Sequence, residues 1–257
     1  MRFVALEARL RDCANVRTLG VHPNFTDYSP EDRELMTTAG KIYYPSEFYC
    51  QMFTCLGKPT FPGPSYYHFA QNKIRQTALF ELAGIPHPRT RVYYGETQQE
   101  AILRDFALPF VAKEPRGSAR GEGVFRIESR AGLDAYLEDR HVAYIQELVP
   151  TDRDVRVVVI GGEARFAYWR IAPKDGFCSN VSRGGRIGLD KVPRSAVRLA
   201  VETARRCRFD DCGMDVILSD GTPLVLEANM KYGREGFREA GIDYTHLMEN
   251  LLADGQI

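Results

Sequence analysis

Net charge is missing from this sequence: 34 lysines and arginines stand against 34 aspartates and glutamates in 257 residues. Without a net positive field, the chain has no basis for binding nucleic acid by counterion release or for a polybasic membrane anchor, although a local basic groove is not excluded. No stretch approaches the roughly 20 apolar residues of a membrane span. The opening Met1-Arg2-Phe3-Val4-Ala5-Leu6-Glu7 has too short an apolar run for a signal peptide and no cleavage site, so a cytoplasmic protein without a membrane partner is expected. The cysteines, at 13, 50, 55, 178, 207 and 212, include two C-x4-C pairs. There is no C-x2-C and no nearby histidine pair at zinc spacing, so they read as reduced thiols. His22, His68, His87, His141 and His246 show no triad or metal spacing and read as structural.

What is present is an ordinary globular composition, 44% hydrophobic and 26% charged, in a chain long enough to bury a sizeable core. There is no internal repeat and no low-complexity linker, but the texture changes near residue 60. Ser29-Pro30-Glu31-Asp32 has the cap, proline and early acids of a helix start. Lys41–Tyr44 reads as a short strand, and Ser46 to Cys55 as a helix stopped by Gly57. Lys58-Pro59-Thr60-Phe61-Pro62-Gly63-Pro64 is expected to be neither element, because its prolines forbid a ladder or a helix; it reads as a boundary.

Beyond it, apolar residues at 74, 78, 79 and 82 give helical spacing over Asn72 to Ala83, with Gly84 as the left-handed cap. Thr97-Gln98-Gln99-Glu100 is a capping box. Strands are expected at Pro109–Lys113, Val124–Glu128 and Val142–Leu148, with a helix at Ser129–Arg140. Asp154–Ile160 and Ala164–Ile171 flank the hairpin signal Gly161-Gly162. A helix follows from Pro193 to about Arg208, then a hairpin of Gly213–Leu218 and Pro223–Asn229 around Asp220-Gly221. Hairpins mixed with helices, without strict alternation, indicate an α+β core with antiparallel sheet.

Three segments could carry chemistry. In Lys113-Glu114-Pro115-Arg116-Gly117-Ser118-Ala119-Arg120-Gly121-Glu122-Gly123, a lysine ends a strand and a glycine-rich loop follows. Inward-turned amides in such a loop bind phosphate oxygens; taken alone, the segment reads first as a hairpin loop. In the last hairpin, Glu227 and Asn229 share a strand face. A three-residue loop would pair Asp215 with Glu227, whereas a two-residue loop would pair it with Leu226 and part the carboxylates. Two carboxylates and an amide on an apolar hairpin suit a hard cation such as Mg²⁺, which arrives with nucleotide phosphates. Arg170, with the loop Phe177 to Arg186, offers cations, glycines and amides to an anion.

In this order the segments resemble the ATP-grasp enzymes, specifically the RimK-like carboxylate–amine ligases, from about Lys58 to Phe237. The resemblance rests on Asn72-Lys73-Ile74-Arg75, Phe110-Val111-Ala112-Lys113 with its loop, Ile145-Gln146-Glu147-Leu148 and Asp154-Val155-Arg156. Ser179-Asn180, Arg183-Gly184-Gly185, Asp215 and Glu227-Ala228-Asn229 complete it. It implies an ATP-grasp fold: two α+β subdomains with antiparallel sheets enclosing ATP, about 64–148 and 149–257, behind a shortened N-terminal α/β region of 1–63. Lys73 and Lys113 would contact phosphates, and Gly117, Ser118, Gly121 and Gly123 would close over them. Gln146, Glu147 and Leu148 would form the adenine hinge, and Asp154 would lie near the ribose. Ser179 belongs to the same nucleotide site, and Arg170 and Asn180 would face the γ-phosphate and an acyl phosphate. Asp215, Glu227 and Asn229 would hold magnesium, or manganese. The implied reaction activates a small-molecule or peptide carboxylate with ATP and transfers it to an amine; a homo-oligomer is compatible with it.

Three features depart from the family. Met230-Lys231-Tyr232-Gly233 replaces a tight small-polar turn beside the acceptor site, and Cys178 stands where relatives carry arginine. Only 72 residues precede Lys73, of which the first 57 resemble no family. The aromatics there, Phe3, Phe25, Tyr28, Tyr43, Tyr44, Phe48, Tyr49 and Phe53, read as a small core before a partner surface. Two alternatives to the small-amine ligase are a catalytically inactive ATP-binding scaffold, disfavoured by the complete set of lysines and acids, and a ligase with a thiol or protein side-chain acceptor.

Overall fold

A computed structural model describes residues 3–95, 98–117, 123–173 and 184–257. The expected Ser118, Gly121, Cys178, Ser179, Asn180 and Arg183 lie outside the described residues.

The first part contains β1 (Phe3–Ala5), β2 (Val16–Thr18), α1 (Pro30–Thr38), β3 (Ile42–Tyr43), α2 (Glu47–Cys55), β4 (Thr60–Phe61), α3 (Pro64–Phe69) and α4 (Lys73–Leu82). Its sheet runs β2-β1-β3-β4 with every pair parallel. The segment around Lys58 to Pro64 is therefore not a bare boundary. The Ile42 amide donates to the Pro59 carbonyl at 3.1 Å, and proline lacks only the donor of a ladder pair. An edge strand uses that acceptor, and Pro64, at the first helical position, opens α3. Of the aromatics here, Tyr28, Tyr43, Tyr44, Tyr49 and Phe53 are buried, whereas Phe25 and Phe48 are exposed.

The second part contains β5 (Thr90–Tyr94), α5 (Gln98–Asp105), β6 (Phe110–Lys113), β7 (Val124–Ile127), α6 (Arg130–Leu137) and β8 (Val142–Glu147). Its antiparallel sheet runs β5-β8-β6-β7 over a core of Ile102, Phe106, Phe110, Leu133 and Ile145. The third part contains β9 (Arg153–Ile160), β10 (Glu163–Ile171), β11 (Arg186–Gly188), α7 (Arg194–Cys207), β12 (Asp211–Ser219), β13 (Thr222–Asn229), α8 (Glu235–Glu239) and α9 (Tyr244–Ala253). Its antiparallel sheet runs β11-β10-β9-β12-β13. The expected α+β class and both glycine-containing hairpins are present; Gly161 and Gly162 both take the positive φ that their turn requires.

Strand alternation gives the last sheet two different faces. Val155, Val157, Val159, Cys212, Met214 and Val216 pack under α7 residues such as Ala196, Ala200 and Ala204. Val158 and Ile160, on the other face, pack with Ala5, Tyr43, Tyr44 and Phe61 of the first sheet and with α9. The N-terminal sheet thus covers one end of that face and leaves the other to charged side chains. Among the described residues no helix is long and apolar enough to cross a membrane. The described cysteines Cys13, Cys50, Cys55, Cys207 and Cys212 are free thiols.

Candidate active site

The charged face is built from cross-strand neighbours. Arg170 on β10 stands opposite Asp154 on β9, and Arg156 on β9 stands opposite Asp215 on β12. Opposite charges at paired positions attract, and here they are desolvated as well. Arg170 Nε donates to Asp154 Oδ1 at 2.7 Å, and Arg170 Nη2 lies 2.7 Å from Asp215 Oδ2. Arg156 grips both Asp215 oxygens, Nε on Oδ1 and Nη2 on Oδ2. Asp154, Arg156, Arg170 and Asp215 are all buried. Burial raises the Asp215 carboxyl above its ordinary range, against the pull of Arg156 and Arg170.

The hairpin register differs from both alternatives that the loop length suggests. The turn holds two residues, Asp220 and Gly221, since Ser219 pairs with Thr222. Val216 pairs with Val225, yet Asp215 pairs with Glu227. Leu226 is therefore an extra residue, a bulge, and it restores the pairing that a three-residue loop would have given. The consequence is one of faces: Val225 points into the core under α7, and without the bulge Glu227 would follow it there.

Glu227, Asn229 and Asp215 converge. Asn229 Nδ2 donates to Asp215 Oδ2 and to Glu227 Oε1, each at 3.0 Å. For Glu227, burial opposes ionisation, but Lys73 and Lys113, then the Asn229 hydrogen bond and Arg170, hold its carboxyl below the ordinary value. Lys73 Nζ is 4.0 Å from Glu227 Oε2. Carboxylate and amide oxygens are the hard donors that a magnesium-sized ion takes, but in this geometry Asn229 turns its nitrogen to both acids and the Asp215 oxygens are held by Arg156 and Arg170. Among the described residues no group of three or more His, Cys, Asp or Glu could hold a metal.

The two lysines are brought here by backbone contacts. Asn72 caps α4 by accepting from the Arg75 amide, the Lys73 amide donates to the Pro115 carbonyl at 3.0 Å, and the Gly117 amide donates to the Gln71 carbonyl at 3.2 Å. The start of α4 is thereby stitched to the chain leaving β6 at Lys113. Gln76, which the sequence reading did not single out, bonds both backbone groups of Ala228: Nε2 to the carbonyl and Oε1 from the amide, each at 2.9 Å. Ala228 lies between Glu227 and Asn229, so α4 is fixed to the acidic strand. Gly117 and Gly123 both have positive φ, and the Glu114 amide bonds the Gly123 carbonyl at 2.6 Å, pinching the base of the glycine loop.

At the other end of the cleft, Leu148 lines a cavity of about 1010 Å³ with Pro109, Arg126, Val149, Asp152 and Ile171. The Glu147 amide already donates to the Arg89 carbonyl at 2.9 Å, and its carboxylate accepts from the Arg89 amide. Gln146 is buried against the Thr90 hydroxyl at 2.8 Å. Asp154, expected toward a ribose, is paired with Arg170 on the charged face, and the acid lining this cavity is Asp152. Arg156 is the second residue missed: its signal was the Asp154-Val155-Arg156 spacing, which puts both side chains on one strand face.

Residues 70–252 match the family model described as RimK-like ATP-grasp domain. The ribosomal protein bS6–L-glutamate ligase of Escherichia fergusonii is 28% identical over 183 residues, covering 68% of this chain. The chain spans 60% of the length of that relative. Among solved structures, a RimK domain ATP-grasp protein from Sphaerobacter thermophilus superimposes with a TM-score of 0.70 at 16% identity, over 97% of this chain and 98% of its own. The ATP-grasp ligase PsnB, complexed with a phosphomimetic variant of a minimal precursor, Mg and ADP, gives 0.62 at 22% identity over 91% and 71%.

Proposed function

The chain belongs to the RimK-like ATP-grasp family, and from that membership we propose that it is an ATP-dependent ligase joining a carboxylate to an amine. The observation that carries the reading is the convergence of Lys73, from α4, with Glu227, Asn229 and Asp215 of the last hairpin. Cations for a polyphosphate and oxygen donors for its counter-ion meet at one place. Residues 64–257 form the ATP-grasp unit in this reading, divided near 148, with 1–63 as the N-terminal region.

Lys73 and Lys113 bind the phosphates, and the loop from Gly117 through Ser118 and Gly121 to Gly123 closes over them. Leu148, with Gln146 and Glu147 behind it, borders the base. Asp215, Glu227 and Asn229 would hold magnesium, which when bound spreads the charge developing on the transferring phosphoryl group. Arg170, expected to face the γ-phosphate, is buried between Asp154 and Asp215, where its charge opposes the burial that raises the Asp215 carboxyl. Ser179 and Asn180 belong to the loop facing the γ-phosphate. The substrate carboxylate attacks the γ-phosphorus, ADP leaves, and an amine displaces phosphate from the acyl phosphate. No side-chain nucleophile is needed. The free thiols suit a reducing cytoplasm.

The test is a phosphate-release screen with ATP and Mg²⁺ against pairs of amino acids, short peptides and small carboxylates. ADP and phosphate formed only when both members of a pair are present is the expected result. Turnover to AMP and pyrophosphate, or none with any pair, would overturn the ligase reading and favour a nucleotide-binding scaffold.

A further inference from the structure

Lys73 and Lys113 sit on different elements, and a chain of buried hydroxyl groups that the proposed mechanism leaves unused joins those elements. Lys113 on β6 stands directly opposite Tyr144 on β8. Directly opposed residues of an antiparallel pair project to one face, so the Tyr144 side chain stands beside that of Lys113. Their strand neighbours Ala112 and Ile145 pack the other way, with Ile102 of α5 and Leu133 of α6. At this pair a third side chain bridges the two backbones. The Tyr136 hydroxyl, from α6, donates to the Lys113 carbonyl at 2.8 Å and accepts from the Tyr144 amide at 3.3 Å. The strand end that carries Lys113 is thereby fixed to the backbone of Tyr144.

Tyr144 in turn reaches across to α4. Its hydroxyl and that of Thr77 bond each other at 2.7 Å, and the two residues are exposed by only 2% and 6%. Thr77 lies four residues after Lys73, one turn along the same face of α4. Burial pushes the Tyr144 phenol up to about 12, with hydrogen bonds to Thr77 and Thr90 pulling it down and Glu227 raising it. The phenol therefore stays protonated at neutral pH, in the field of the acid on which both lysines act. Phenylalanine and valine would fill the same space without polar atoms, and such paired apolar replacements can be nearly neutral for stability. What the hydroxyl pair adds is direction, because a buried hydrogen bond fixes where α4 lies against β8.

We propose that Tyr144, through its bond to Thr77, is a positioning residue that sets the separation of Lys73 and Lys113. Two cations at a fixed spacing meet a chain of phosphates at two points, whereas a single phosphate engages one of them. The strut therefore serves selection of a nucleoside triphosphate over a monophosphate, by holding the pair ready before the nucleotide arrives. The inference rests on the reading of the two lysines as phosphate ligands and adds to it the residues that space them.

Calorimetry on the full chain with Mg²⁺ tests it, with a nonhydrolysable ATP analogue compared against AMP. Tyr144→Phe and Thr77→Val should each weaken the analogue about three- to tenfold, the scale of one net hydrogen bond, and leave AMP unchanged. Thr77→Ser keeps the hydroxyl and should bind the analogue as the unmodified chain does. The double variant Tyr144→Phe with Thr77→Val should lose no more than the worse single one, because one strut is removed once. If Tyr144→Phe does not fold, Thr77→Val and Thr77→Ser carry the comparison. Unchanged analogue affinity in the single variants, an equal loss for AMP, a loss in Thr77→Ser as large as in Thr77→Val, or additive losses in the double variant would overturn the inference. Failure of the analogue to bind the unmodified chain would instead overturn the phosphate reading of the lysines, and the inference with it.

Discussion

Asp215 and Glu227 stand directly opposite each other on β12 and β13, and they do so because Leu226 is an extra residue in the ladder. Like charges at paired positions repel. Here the Asn229 amide bonds both, two arginines hold Asp215, and Lys73 and Lys113 act on Glu227. The bulge thus selects a pairing that is unfavourable by itself and useful only with cations around it.

Glu227→Gln keeps the shape and the Asn229 contact while removing the charge. ATP turnover should fall by about 10²-fold or more, the scale seen when a group stabilising transition-state charge is lost. Far-ultraviolet circular dichroism should be unchanged. Deleting Leu226 is the contrasting variant: it leaves Val225 opposite Val216 and Glu227 opposite Asp215 in an unbroken ladder, so Glu227 and Asn229 stay on the charged face and ATP turnover should survive far better than in Glu227→Gln.

Asp211 is buried at 0% exposure and accepts from Tyr44 at 2.8 Å and from Tyr232 at 2.7 Å, with Arg9 beside it. Asp211→Asn leaves Arg9 without its counter-charge and should lower stability by about 3–5 kcal/mol in urea titrations. Tyr44→Phe and Tyr232→Phe, which remove one donor each, should cost about 1–3 kcal/mol. The double phenylalanine variant should depart from additivity, because both hydroxyls serve one carboxylate.

Burial pushes the Cys13 and Cys207 thiols up to about 11. Thiolate is the reactive form, so iodoacetamide near pH 8 should label exposed Cys55 ahead of Cys13 and Cys207, read by peptide mass mapping. The same shifts set an alkaline limit. The folded chain holds these protons more tightly than the unfolded chain does, so this stabilisation is complete below pH about 9 and declines as pH rises toward 11. Thermal midpoints should fall across that window.

Much of this was legible in local chemistry. Asn72 caps α4, Ser29 caps α1, and Gly161-Gly162 and Asp220-Gly221 make the turns their φ preferences suit. The shared strand face of Glu227 and Asn229 was legible too, because residues two apart on a strand project to the same side. The Leu226 bulge was not, since Pro223-Leu224-Val225-Leu226 offers no polar alternation from which a register can be read. Thr60-Phe61 was hidden for another reason: the flanking prolines remove donors, but the amides of Ile42 and Tyr44 need only the carbonyls of Pro59 and Phe61. Gln76 and Arg9 carry no local signal, because their partners Ala228 and Asp211 are distant in sequence.

Gln76 has a mechanical consequence. Its two bonds to Ala228 hold α4 to β13, while the amide of Lys73 holds the same helix to Pro115, beyond β6. The middle and last sheets cannot part as two jaws at this corner without breaking one of those links. Lys73 is thereby held beside Glu227 by links to both sheets.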